Sequence, residues 1–527
     1  MKSILPSLSR STDDASIHQH RYIIAMTVTL ACVLELLDTS IVNVAIPHMM
    51  GSLGATLDEI TWVSIGYVVA NVIVLPISGF LGNLFGRRNY LVLSIALFIV
   101  ASIACGNATS LPEMVFWRIV QGLGGGGLIA TAQMTLFEVF PAKEMGTAMA
   151  IFGMGIMLGP MLGPTVGGWL TDQYSWPWIF YINLPLGLGA LLLTLLYVPD
   201  SKLRKAVTHI DFVGLLLMAS GIGALQLLLE RGEKLEWFDS WEIVTYTVLS
   251  IGAIGAFIIR QLEHDHPLVD LRVCKDGQFS AGLAITFLLG ASLFSTVFIF
   301  PVYAQTLMGY TAWQTGLLIL PSALASGLTM PISAKLVDRG MPPRLLITLG
   351  ASIFLYSMWM HHHFTTQSGI SDFMLPLIVR GIGLGMIFMP LNSLSMANLA
   401  PTQIGSATGL YNLTRQLGGS VGIALSATFA TKFAHINTDV LLENLGSDTA
   451  MERLAGLKNM LLGSGTPAAA AEQAANALMM QIVSKQALML AYEHLFMLFG
   501  FAMISVLPLL VFMKKTKVRA SADAAAH

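Results

Sequence analysis

Fourteen separate stretches of this chain are apolar for long enough to cross a bilayer, and that repetition limits the fold more than any other feature. Crossing the ~30 Å hydrocarbon layer as a helix takes about 20 residues at about 1.5 Å each, with every backbone polar group satisfied inside the segment. The stretches begin near Tyr22, Ile60, Asn89, Pro112, Met145, Trp178, Phe212, Trp241, Phe279, Trp313, Arg344, Phe373, Gly405 and Glu493, and are numbered spans 1 to 14. Composition agrees. With 55% hydrophobic and 11% charged residues and a mean hydropathy of +0.71, the 527 residues carry more apolar surface than a water-soluble core could hide. The first stretch, Tyr22 to Pro47, is too long for a signal-peptide core and lacks a small-residue cleavage site, so it is expected to remain as the first helix.

The charges matter through their placement, since a net charge of −2 gives no field that would hold nucleic acid. An even number of spans puts both termini on one side. If that side is the cytoplasm, the inner segments hold Lys2, Arg10, Arg21, Arg87, Arg88, Lys143, Lys202, Arg204, Lys205, Arg260, Arg272, Lys275, Lys335, Arg339, Arg344, Lys514, Lys515, Lys517 and Arg519. The outer segments hold only Arg231, Lys234, Lys432, Arg453, Lys458 and Lys485. This bias predicts cytoplasmic termini. Cys32, Cys105 and Cys274 are scattered and read as packing residues rather than a disulfide framework or zinc site. His361, His362 and His363 are adjacent, so they cannot all point at one ion from a helix, and an interfacial place is expected for them.

Short motifs recur at a nearly constant offset, as in a transporter made of two related bundles. Pro76-Ile77-Ser78 returns as Pro331-Ile332-Ser333, Pro141 as Pro401, Gly146-Thr147-Ala148 as Gly405-Ser406-Ala407, and Leu158-Gly159 as Leu417-Gly418. This pairs spans 1 to 6 with spans 9 to 14. The expected organisation is an N-terminal six-helix bundle over 1–200, a linker with spans 7 and 8 over 201–275, and a C-terminal six-helix bundle over 276–527. A long outward loop is expected over 432–491, rich in Ala, Asn, Gln and Gly, either a tolerated surface insertion with a short amphipathic helix or a docking element.

Five ionisable residues are singled out inside spans. An ionised side chain at the bilayer centre costs about 2.5 to 3.5 kcal/mol, which makes each a functional candidate. Glu35 and Asp38 in span 1 are three residues apart and so near one helix face. Counting along their helices places Asp38 roughly 13 Å and Arg118 roughly 9 Å below the outer end, depths at which an ion pair can form. An acid there whose partner cation moves can load and release a proton; a purely structural pair is the competing reading. Arg380 and Arg415 are read as the buried cations of the second half, meeting either anionic substrate or only backbone carbonyls.

Glycine supplies the other signal. Gln121-Gly122-Leu123-Gly124-Gly125-Gly126-Gly127 lacks both the preceding strand and the following Lys-Ser/Thr of a phosphate loop, so Gly122 and Gly126 are expected to admit a neighbouring helix. Span 5 carries Gly155, Gly159-Pro160, Gly163-Pro164 and Gly167-Gly168 at intervals of four, a small-residue seam with two prolines that can kink, which predicts a hinge or gate.

Together these residues resemble the EmrB/QacA-type drug:proton antiporters of the major facilitator superfamily, over nearly the whole chain. Leu37-Asp38-Thr39-Ser40-Ile41-Val42-Asn43-Val44-Ala45-Ile46-Pro47 resembles the family's first-helix motif, and Arg118-Ile119-Val120-Gln121-Gly122 its fourth-helix motif. Gly159 to Gly168 resembles the antiporter signature of helix 5, and Trp176 to Gly187 the entry to helix 6. In the loop motif after helix 2, Gly79, Gly86, Arg87 and Arg88 fit, but Asn83 stands where an acid is usual and Leu84 where a base is common. The resemblance implies an all-α major facilitator fold, two six-helix bundles plus an inserted hairpin, with alternating access, proton coupling through Asp38 and Arg118, and lipophilic or amphiphilic cargo. Relatives of this type in Gram-negative cells work with a periplasmic adaptor and an outer-membrane channel.

The expectation is therefore a proton-driven exporter in the bacterial inner membrane. Asp38 and Glu35 would be the proton carriers, Arg118 the competing cation and span 5 the gate. No soluble catalytic domain, nucleophile motif or His/Cys/Asp cluster is readable, so neither an enzyme nor a cofactor is expected. An importer or uniporter of the same fold and a non-transporting membrane receptor are the alternatives.

Overall fold

The computed structural model describes residues 14–141, 144–201, 210–265, 267–443 and 448–513. Ten of the basic residues used for orientation, Lys2, Arg10, Lys143, Lys202, Arg204, Lys205, Lys514, Lys515, Lys517 and Arg519, lie outside these. Among the described residues there is no strand. Twelve segments are helical and apolar over enough length to cross a membrane: Gln19–Leu53, Asp58–Phe85, Arg87–Gly106, Met145–Gln173, Trp178–Tyr197, Phe212–Arg231, Trp241–Glu263, Gly277–Thr306, Ala312–Asp338, Pro343–His361, Ile370–Met396 and Ala468–Phe512. They are spans 1 to 3, 5 to 12 and 14.

Two more helical segments fall where spans 4 and 13 were expected. Span 4 is Leu111–Gly125 followed by Leu128–Val139, with the helix interrupted at Gly126 and Gly127. Span 13 is the 40-residue helix Ile404–Glu443. A glycine break in one, and Asn412, Arg415 and Gln416 within the other, dilute their apolar character, yet both pack inside the bundle.

The two halves repeat in packing as well as in sequence. Span 1 packs against spans 4, 5 and 6, and span 4 against spans 2 and 3. In the second half, span 9 packs against spans 12, 13 and 14, and span 12 against spans 10 and 11. The halves meet along span 5 with span 10 and along span 2 with span 13, two seams that the repeat makes equivalent. The recurring motifs are themselves the contacts. A methyl group on Gly79 would sit 2.6 Å from the Gly405 carbonyl, and one on Gly146 would sit 3.1 Å from Ala334 Cβ, the matching pair on the other seam. Side chains larger than hydrogen at Gly79 would force the backbones apart.

The seams differ away from this end. Spans 5 and 10 stay close to their far end, where a Cβ on Gly168 would lie 3.4 Å from the Trp313 nitrogen. Span 13 meets span 2 chiefly through Leu75–Ile77 and Ser78–Phe85. Along the opposite half of that seam a cavity opens. Spans 7 and 8 form a hairpin beside it. Asp211 Oδ1 accepts from Gly214 N at 2.8 Å and from Arg260 Nε at 2.8 Å, tying the start of span 7 to the end of span 8. Span 7 then packs on span 2, with Gly223 beside Ile73 and Val69, and reaches span 13 where Gln226 donates to Ser420 at 2.9 Å.

The stretch 432–491 departs from expectation. Its described residues are mostly helix: span 13 continues to Glu443, a helix runs over Asp448–Gly463, and a 37-residue helix begins at Ala468. The low-complexity alanines that read as loop are strong helix formers, and the Asp448–Gly463 helix and span 13 pack against the Ala468 helix. At about 1.5 Å per residue, 40 residues run roughly 60 Å, so helices 13 and 14 extend well past one side of the apolar layer.

Candidate functional site

Span 1 brings Asp38 into the interior of the first half, because four glycines of span 5 let the two helices touch along their length. A Cβ on Gly155, Gly159, Gly163 or Gly167 would run into Thr29, Leu36, Ser40 or Ile41 of span 1. Pro160 and Pro164 sit inside the unbroken helix Met145–Gln173. Span 5 therefore clasps span 1 on one face, while Gly146, Gly153 and Gly168 turn to span 10.

Asp38 is fully buried and Arg118 is 1% exposed. The guanidinium donates to Asp38 Oδ2 at 2.5 Å through Nη1, to Gln121 Oε1 at 2.7 Å and to the Val63 carbonyl at 3.0 Å through Nε. Asp38 Oδ1 accepts from Gln121 Nε2 at 2.9 Å and from Asn183 Nδ2 at 2.7 Å. The Tyr67 ring lies 4.2 Å from the Arg118 carbon, a cation–π contact that supplements the ion pair. Four spans thus converge on one carboxylate. A buried pair of this kind persists only because each partner has several hydrogen bonds to offset desolvation.

Glu35 diverges from Asp38 despite the short spacing. It faces the cavity between the halves, which is lined also by Thr39, Tyr67, Asn71, Asn412 and Arg415. Its carboxylate is 3% exposed and accepts from Asn71 Nδ2 at 2.8 Å. Tyr67 touches both environments, with its ring on Arg118 and its side chain on the cavity wall. Arg415 reaches that cavity from the second half.

Arg380, read as a buried cation of the second half, lies one residue before the glycine that repeats Gly122, not at the position of Arg118 itself. Gly122 meets Tyr67 of span 2 as Gly381 meets Ser322 of span 10, which aligns Arg380 with Gln121 in the repeat. It is buried in the second half and donates to Ser322 Oγ and the Thr296 carbonyl, each at 3.3 Å. Gly122 and Gly126 do admit span 2, through the Tyr67 and Asn71 carbonyls.

In the loop motif, Arg87 pairs with Glu138 of span 4 and Arg88 donates to the Leu195 carbonyl at 2.5 Å. Gly86 takes φ +87°, which favours glycine. These bonds stay within the first half, whereas Gly79 approaches Gly405 of the second half. His361 differs from the interfacial place expected for the triplet. It is fully buried among Phe300, Phe364 and Phe496, while His362 and His363 point outward to Glu493 and Trp359. A helix turns adjacent residues by about 100°, so only one of three can face the core.

Gln121, Asn183 and Asn71 were not singled out as ligands of the two acids. Their signal was an amide in the middle of an apolar span. A further amide group joins the halves: Gln133 of span 4 donates to Asn392 of span 12 at 2.9 Å and accepts from Asn412 of span 13 at 2.6 Å, all buried.

A helical membrane bundle built twice, with a buried acid–base pair in one half and a cavity of mixed charged and apolar lining between the halves, defines a two-bundle membrane transporter. Comparison with known proteins agrees. The model of the Major Facilitator Superfamily matches residues 28–423. The chain is 33% identical over 426 residues to the multidrug export protein EmrB of Escherichia coli (strain K12), covering 80% of this chain and 83% of that protein. It is 34% identical over 405 residues to the fatty acid resistance protein FarB of Neisseria gonorrhoeae, covering 77% and 80%. Its backbone resembles that of the proton:xylose symporter XylE, with a TM-score of 0.58 at 15% identity over 96% of this chain and 97% of that one, a likeness of fold. The chain belongs to the major facilitator superfamily, within its EmrB-type multidrug transporter family, and is a transporter rather than an enzyme.

Proposed function

We propose that this protein exports lipophilic or amphiphilic toxic compounds in exchange for protons, by alternating access of two bundles over 1–200 and 276–527 with 201–275 as the inserted hairpin. The observation that carries the reading is the Asp38–Arg118 pair, buried in one rocking half and joined through Tyr67 to the cavity that holds Glu35. Protonation of Asp38 frees Arg118 to rely on Gln121 and Val63, and deprotonation restores the pair, so proton loading alters how spans 1, 2, 4 and 6 hold together. Glu35 exchanges its proton with the cavity. The glycine face of span 5, Gly155 to Gly168, transmits the change from span 1 to span 10, and the Gly79 to Arg88 segment steadies the inner end of the seam.

The relatives named for multidrug export and fatty acid resistance support a cargo of this kind. A potential of 100 mV supplies about 2.3 kcal/mol per charge, enough for one proton to sustain a large cargo gradient. The bacterial inner membrane is the setting, with both termini in the cytoplasm as the basic residues indicate. The extensions of spans 13 and 14 would then lie on the periplasmic side, in reach of an adaptor that passes cargo to an outer-membrane channel. The direction of transport decides between this and import. Inverted vesicles energised to acidify their lumen should accumulate an amphiphilic dye, and collapse of the gradient should release it. Uptake into right-side-out vesicles driven by an inward proton gradient would mark an importer, and binding without movement a receptor.

A further inference from the structure

The cavity between the halves has a carboxylate on one wall and a guanidinium on the other. Glu35 belongs to span 1 and already takes one bond, from the Asn71 amide. Arg415 belongs to span 13, is 4% exposed, and lies with its charge 5.6 Å from the centre of the Phe388 ring. Its Nε and Nη1 are buried without an acceptor. Acid and base line the same cavity without a hydrogen bond between them.

The two groups are not equivalent. A carboxyl group can be neutralised by a proton, whereas a guanidinium stays charged and has only donors to offer. Because Glu35 bonds Asn71 instead, Arg415 is left as a cation without a hydrogen-bond acceptor in a low-dielectric cavity. A buried charged donor without an acceptor is costly, so the site then favours an anion. Carboxylates suit it best, because the guanidinium fork matches two carboxylate oxygens. Leu36, Val68, Ile129 and Phe294 on the same cavity wall suit an apolar tail.

Resting on the exporter reading, we propose that Arg415 is the specificity-determining residue of this cavity and selects amphiphiles with an anionic head, Glu35 being its internal competitor. The cargo head binds the Arg415 guanidinium in competition with the Glu35 carboxylate, and the proton exchanged for it is that of Asp38.

The test reconstitutes the full chain in phosphatidylcholine vesicles, whose lipid has no net charge, and measures transport of dodecanoate and of dodecyltrimethylammonium, equal in tail and opposite in head. Arg415→Gln should lower the dodecanoate to dodecyltrimethylammonium ratio at least tenfold. Arg415→Lys should recover part of that preference, and Glu35→Gln should raise dodecanoate binding measured by tryptophan quenching. A ratio unchanged in Arg415→Gln, or equal in the Lys and Gln variants, overturns the proposal while leaving export intact. Wild-type protein that moves neither probe overturns the exporter reading along with it.

Discussion

Asp38 and Arg118 are both out of water, and neither could remain charged alone. Removing one partner of a buried pair typically costs about 3 to 5 kcal/mol, because the other is left uncompensated. Arg118→Gln should therefore lower thermal stability in detergent sharply, and adding Asp38→Asn should recover much of the loss. Additive single and double variants in that cycle would show that the pair is not coupled. The pair was legible because charged residues inside apolar spans stand out from composition alone. Gln121, Asn183 and Asn71 were not, since a neutral amide is a far weaker signal in a sequence than a charge, although these three supply most of the remaining bonds to the acids. The spacing of Glu35 and Asp38 also misled. Three residues on a helix leave side chains some 60° apart, enough to send one to the bundle interior and the other to the cavity.

Span 5 shows what a helix surface of glycines does. A Cβ on Gly163 would collide with the Ser40 hydroxyl and come within 2.9 Å of the Ile41 nitrogen, backbone that cannot yield cheaply. Gly163→Ala should therefore abolish transport or folding by parting spans 1 and 5, whereas Gly189→Ala, where nothing lies within 4 Å, should be tolerated. Equal effects in a transport assay would remove the seam from the account. Most helices were readable from apolar length. The interruption of span 4 at Gly126 was not, because glycine in a membrane helix signals close packing as often as a break. Within 432–491 a short amphipathic helix was one reading, but the extent of helix was missed for another reason: an alanine-rich helix outside the lipid lacks the apolar length that marks a span.

At the scale of the whole molecule, the repeat in sequence and the meeting of the two halves are one fact. Gln133 and Asn392 lie 259 residues apart, the offset of the repeat, and bond to each other where the two bundles touch. Asn412 adds a second bond across the same junction. These amides and the Gly79–Gly405 approach hold one end of the molecule closed. Gln133→Leu should loosen it, and spin labels at Asn89 and Arg339 should then report a longer mean separation. An unchanged distance distribution would show that the amides do not hold the halves together. The offset of the motifs was legible; that the motifs touch one another was not, because a repeat identifies equivalent positions without saying which of them face. The account as a whole stands on proton exchange at Asp38, and substrate-induced proton release from purified protein measures it most directly. Wild type should release protons when a cargo amphiphile is added, and Asp38→Asn, which keeps the shape of the side chain, should release few or none. Undiminished release from Asp38→Asn would contradict it.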